Sequence, residues 1–201
     1  LIDNNMTISE CIEVIKDHGT KLWQRRITDE DFLTLPVGIG NIPMEIEIKY
    51  PEEHFSLSED NLLDIAYALG RKERILNDIP ITFSFKKNTA TGIVGDSIIT
   101  KECIDRILLQ MMANYSYDEL KIVTFTSIDN EKDWEYMKVL PHCWNNERTF
   151  RFFGSSNDDY RENIYVLEKI YNERKKNYRD NTVYNTHYVI ITDDYKKEEI
   201  N

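Results

Sequence analysis

Positive charge is what this sequence is short of: 25 lysine and arginine side chains stand against 36 acidic ones, a formal net charge of −11. A field of that sign repels a phosphate backbone instead of releasing its counterions, which argues against nucleic acid as a direct partner. Cysteine is scarce too. Cys11, Cys103 and Cys143 are odd in number and far apart, with no C-x-x-C, so neither a disulfide framework nor a zinc knuckle is supported and a reducing, cytosolic setting is expected. No apolar run approaches the ~20 residues that a bilayer span needs. The opening LIDNNMTISE has no basic stretch followed by an apolar core, so no signal peptide is expected. The chain does not open with Met and reads as an excised piece of something longer, with any membrane connection outside the piece. Internal repeats and low-complexity tracts are also missing. What remains is 41% hydrophobic and 11% aromatic over 201 residues, enough for the packed core of one domain or one plus a small appendage.

Residues 1–50 read as a helix plus a small β element. Thr7 followed by Glu10 is a capping-box pattern, Ile8, Cys11, Ile12 and Ile15 recur at helical spacing, and His18-Gly19 would end the helix. DFLTLPVGIGNIPMEIEIKYP then predicts two or three short strands, with Pro36 and Pro43 confined to edges. Residues 51–201 alternate strand and helix. Helices are expected over SEDNLLDIAYALGRKERIL, capped by Ser58, over TKECIDRILLQMMANY, whose apolar stripe is Ile104, Ile107, Leu108, Met111 and Met112, and over DYRENIYVLEKIYNERKKNYRDN. PITFSF, ATGIVG, LKIVTFTS, RTFRFF and THYVIITDDY are expected as strands, and KDWEYMKVLPHCW as a short helix broken by Pro141. This order argues for an α/β domain, a mostly parallel sheet flanked by helices, whose ligands would bind outside the carboxyl ends of the strands.

Two half-motifs fall at those ends. GDSIITKE, from Gly95, matches G-x-x-x-x-G-K-[ST] except that Thr100 stands for the second glycine and Glu102 for the hydroxyl residue. A phosphate loop works because glycines let backbone N–H groups converge on phosphates at a helix N-terminus, the lysine reaches the outer phosphates and the hydroxyl holds Mg²⁺. Ile98 and Ile99 obstruct that backbone, and Glu102 brings a negative charge to the metal's position. A strand-to-helix turn with Lys101 in solvent is the leading expectation. Under the alternative, a weak ATP and Mg²⁺ site, Gly95, Thr100, Lys101 and Glu102 would hold nucleotide, Asp193 the metal, and Asp194 would act as catalytic base. The basic stretch EKIYNERKKNYR, Glu168 to Arg179, reads as a solvated helix face. His142-Cys143 has no spacing that supports a thiol site, and Trp134, Met137 and Leu140 read as core.

Two stretches together resemble a known family. KLWQRRITDEDFLTLPVGIG, through Leu22, Trp23, Arg25, Arg26, Asp29, Asp31, Phe32, Leu33, Gly38 and Gly40, is similar to an L-W-E-R-R…D-x-D-F-L…R-x-G-x-G segment of the EssC/EccC proteins, the FtsK/SpoIIIE-type motors of bacterial type VII secretion. KDWEYMKVLPHCW, through Asp133, Trp134, Lys138, Leu140, Pro141 and His142, resembles their D-W-x-W-x-K-x-L-P-H segment. The resemblance implies a P-loop NTPase-like fold and a membrane-proximal, degenerate ATPase-like domain with no cofactor of its own. It implies a place at the cytoplasmic face of the cell membrane within a membrane-anchored protein, though with no direct membrane insertion of this piece. The implied partners are the other domains and subunits of a hexameric motor and other membrane components of the secretion complex. Thr100 and Glu102 depart from the phosphate-binding pattern, so the resemblance does not extend to nucleotide binding.

Overall fold

The computed structural model describes residues 5–44, 65, 74–179, 182 and 184–193. Helix α1, Ile8–Asp17, begins where the capping box predicts. The Thr7 side chain accepts from the Glu10 backbone, and Glu10 returns the bond to the Thr7 N–H at 2.7 Å. His18 closes it in the left-handed conformation, φ 49°. Strand β1, Thr34–Pro43, pairs antiparallel with β2, Ile75–Ser84, with irregularities at Val37 and Asn41. The two or three short strands expected after Asp31 are thus, as far as Pro43, one strand. Its prolines are tolerated because each strand of a two-stranded ribbon has a free edge. The helix expected over 58–76 lies outside the described residues except for Ile65, which is helical, and its last residues, where Ile75 and Leu76 already belong to β2.

Helix α2, Ser97–Asn114, starts three residues before the expected Thr100, because the Asp96 carboxylate accepts from the Ile98 N–H at 3.0 Å and caps it there. ATGIVG, expected as a short buried strand, is exposed and irregular; Val94 is 98% exposed. A strand needs a neighbouring ladder, and among the described residues none runs beside this segment.

The second sheet is parallel, in the order β4-β3-β5: β3 is Leu120–Phe125, β4 is Phe153–Gly154 and β5 is His187–Thr192. RTFRFF contributes only its last residue to β4. Upstream, Arg151 bridges antiparallel to Trp144, and the Asn145 side-chain oxygen accepts from the Thr149 and Phe150 N–H groups, folding that half into a tight loop. Helix α3, Asn157–Lys176, starts with a second capping box, Ser156 with Asp159, and buries only Asn163. The basic stretch therefore lies on an exposed helix face, apart from half-buried Ile170 and Arg174.

Alternation along β3 separates two faces. Leu120 packs with Phe32, Leu33, Leu35, Ile107, Met111 and Tyr115, joining the N-terminal segment to α2. Ile122 packs with Leu108, Trp134, Met137, Cys143 and Phe153. On the opposite face Phe125 meets Tyr160 of α3 edge-on at 5.3 Å. The expected α/β class, a parallel sheet with helices on both faces, is what the chain adopts. Among the described residues no helix is long and apolar enough to cross a membrane.

Candidate functional site at the carboxyl ends of the strands

Trp134 organises this end of the sheet. It lies in a 3₁₀ segment, Glu131–Val139, that follows β3 and turns its apolar residues, Trp134 and Met137, under α2. Only 2% of Trp134 is exposed. Its indole N–H donates to the Asp193 carboxylate at 2.6 Å, directly after β5, where Asp193 also accepts from Thr126 Oγ1 at 3.0 Å and Asn130 Nδ2 at 3.3 Å. Over the face of the ring lies Lys101 of α2, its ammonium 4.4 Å from the Trp134 centroid and 4.9 Å from that of Tyr136. Lys101 is paired with Asp105 one turn on, at 2.5 Å, and the Tyr136 hydroxyl donates to the same carboxylate oxygen at 2.6 Å. Burial, and then the hydrogen bond to Asp105, push the Tyr136 phenol well above its ordinary range, so it remains a donor.

The 3₁₀ segment is braced at its outer end. Lys138 forms an ion pair with Glu131, whose other oxygen accepts from Ser155 Oγ at 2.9 Å. The Lys138 hydrogen bond, and then Ser155, hold the Glu131 carboxyl below its usual value. Lys138 also lies over the Phe153 ring at 4.9 Å, which ties the segment to β4.

Of the residues singled out in the sequence, Lys101 and Asp193 are brought to the face and the N–H edge of one aromatic ring. Gly95 stays in the exposed turn before α2, and no described glycine adopts a positive φ. Thr100 is half-buried in the first turn of α2. Glu102 points to solvent beside Arg106 at 3.8 Å, and Asp194 lies outside the described residues. The donor set does not match a triphosphate: the Ile98 N–H bonds to Asp96, Lys101 is held by Asp105, and three carboxylates, Asp96, Glu102 and Asp105, lie at the cap and in the first half of the same helix. Among the described residues no three His, Cys, Asp or Glu side chains are grouped to hold a metal.

Asp105, Tyr136, Thr126 and Asn130 belong to this cluster and were not singled out in the sequence. The i,i+4 spacing of Lys101 and Asp105 could have found one of them. The N-terminal motif has an architectural role. Arg25 donates to the Thr34 carbonyl at 2.9 Å and pairs with Asp31, Trp23 Nε1 donates to the Met112 carbonyl at 3.0 Å, and the Leu33 N–H is received by the buried Tyr115 hydroxyl at 2.8 Å. Trp23 and Leu33 both sit at φ 57°, the left-handed region, held there by these contacts to α2 and its end. His142, buried next to Cys143, meets the Tyr115 carbonyl through Nε2 at 3.0 Å. Burial holds its imidazole below the ordinary value.

No family model matches the chain. The resemblance to the EssC/EccC proteins nevertheless holds at the level of individual relatives. The chain is 27% identical over 125 residues to the ESX secretion system protein EccC of Geobacillus thermodenitrificans, 62% of this chain and 8% of that protein. It is 28% identical over 122 residues, 60% of the chain and 8% of the relative, to the ESX secretion system protein YukB of Bacillus subtilis. Against the type VII secretion system protein EssC of Staphylococcus aureus the identity is 23% over 166 residues, 81% of the chain and 11% of that protein. The chain thus spans about a tenth of the length of the curated relatives it matches, and is related to one segment of these secretion proteins.

Proposed function

We propose that this chain is a non-hydrolysing, ATPase-like domain of a type VII secretion motor, derived from a P-loop arrangement, which couples the membrane region to downstream ATPase domains during protein export. It works at the cytoplasmic face of the membrane, as part of an anchored protein, and its partners are other domains and subunits of a hexameric assembly. The observation that carries this reading is the engagement of Lys101. A phosphate-binding lysine must be free to meet the outer phosphates, whereas this one is paired to Asp105 and lies against the rings of Trp134 and Tyr136. Of the residues that would serve nucleotide chemistry, Lys101 and Asp193 belong instead to a polar clamp joining α2, the 3₁₀ segment and the end of β5. Such a clamp suits a part that transmits displacement and does not cleave a phosphate bond.

Calorimetric titration with Mg²⁺-ATP is the test. The expected result is no saturable heat at millimolar nucleotide and no change in melting temperature; a ligand at 100 times its Kd would add ~2.7 kcal/mol. Micromolar binding that disappears in Lys101→Ala would overturn the reading in favour of a weak ATPase.

A further inference from the structure

Helix α3 packs on the sheet along one side, through buried Asn163 and half-buried Leu167, Ile170 and Arg174. On the flank that does not face the cavity lined by Tyr165, Lys169 and Glu173, Ile164 and Tyr171 stand seven residues apart and are 49% and 63% exposed. A seven-residue step rotates around a helix by only about 20°, so both lie on one strip. Glu168 and Lys175 share that strip, one turn after each of them, and both are exposed. Tyr178, 64% exposed, continues the series just past the C-cap Asn177.

The two charges on this strip find no counterpart on their own helix. Three and four residues away from Glu168 stand Ile164, Tyr165, Tyr171 and Asn172, and from Lys175 they are Tyr171, Asn172, Tyr178 and Arg179. Among the described residues neither Glu168 nor Lys175 makes an ion pair, whereas Arg161 of the same helix pairs with Asp158 at 3.7 Å. Nor can they reach each other, being about 10.5 Å apart along the axis. Opposite charges placed in this way on either side of one ring are complementary to themselves. We propose that the strip is a docking surface for a second copy of this chain, α3 against α3, antiparallel, with Tyr171 on the two-fold axis. Glu168 lies three residues before that axis and Lys175 four after it, so the two-fold sets each Glu168 against the partner's Lys175 and each Ile164 against the partner's Tyr178. A parallel pairing would oppose like charges at both positions. The aromatic centre supplies large contact area at little side-chain entropy. Five residues a side make a small, transient interface, with a Kd on the order of 0.1 mM. The contact is isologous, so it differs from the ring interface of the hexameric assembly and does not rest on that reading.

Sedimentation equilibrium of the intact chain tests this at physiological ionic strength, where repulsion between two molecules of −11 is screened beyond ~8 Å. The expected result is a monomer–dimer equilibrium. Glu168→Lys and Lys175→Glu should each weaken it at least about fivefold, since each turns two attractions into two repulsions, and the double reversal should restore it. These side chains are exposed and touch no core, so folding of the variants is not at stake. In a Cys103→Ser background, Tyr171→Cys should give a disulfide-linked dimer on mild oxidation, because a residue on the axis meets its own copy. Lys169→Cys, on the other flank, should not. A chain that stays monomeric at ~1 mM overturns the proposal. So does association that the single reversals leave unchanged, which assigns the contact to another surface, or a double reversal that restores nothing. Equal cross-linking from positions 169 and 171 overturns it as well.

Discussion

Removing the Trp134 ring should be the most damaging single change to the clamp. Trp134→Ala deletes a buried indole packed against Leu108, Ile122, Met137 and Phe153, together with its bond to Asp193 and its contact with Lys101. Truncations of this kind cost about 3–5 kcal/mol. At this length 1 kcal/mol moves the melting temperature by about 2–4 °C, so the expected loss is roughly 6–20 °C. Trp134→Phe keeps most of the packing and loses the N–H donor. Because Asp193 is exposed to water that replaces the lost donor, that bond contributes about 1 kcal/mol, with a comparable amount for the smaller ring. The Phe variant should therefore melt about 4–8 °C below the parent. A cycle of Trp134→Phe with Asp193→Asn should show a coupling of about 0.5–1.5 kcal/mol in urea denaturation. Thermal unfolding followed by circular dichroism gives the ranking. If Trp134→Ala melts within about 3 °C of the parent, the ring contributes little to the packing of this chain and the reasoning is wrong.

Three further outcomes are expected. Ser156→Ala, which opens the capping box of α3, should cost ~1 kcal/mol in urea denaturation, and Asp159→Asn a smaller amount. His142 and His187 are both held below the ordinary 6.5 by burial, so the unfolded chain takes up protons first. The stability due to these residues is complete above that value and falls as pH drops below it. Melting temperatures at neutral and mildly acidic pH should show the decline, and His142→Gln should flatten it. Of the three thiols, half-exposed Cys103 should react first with a disulfide reagent. Cys11, pushed up to about 11, and Cys143, pushed up to about 12, are both buried and should react only as the chain unfolds.

Where a local signal coincided with burial, the sequence was legible. The Thr7 and Glu10 cap, the stripe through Ile107, Leu108 and Met111, and the strand LKIVTF, buried along its first five residues, each lie where expected. ATGIVG was misread because its β-branched residues state a preference that only a neighbouring strand can realise. RTFRFF was shortened by Asn145, whose side-chain bonds to the loop compete with ladder bonds. Of the site, Lys101 and Asp193 were visible as half-motifs. Their relation through Trp134 was not, because the ring sits 33 residues after one and 59 before the other and joins them only in the folded chain.

The outer edge of β5 has a consequence for handling the protein. HYVIIT carries no Lys, Asp, Glu or Pro, among the described residues no strand pairs with its far side, and Ile190 is exposed on it. Uncharged, unpaired edges are templates for association with a second chain. What opposes this here is mutual repulsion between molecules carrying −11 each, and that repulsion is screened within ~8 Å at physiological ionic strength. Adding salt, the customary remedy for sticky preparations, should therefore promote self-association of this chain, and dilute buffer at a pH well above its isoelectric point should keep it dispersed.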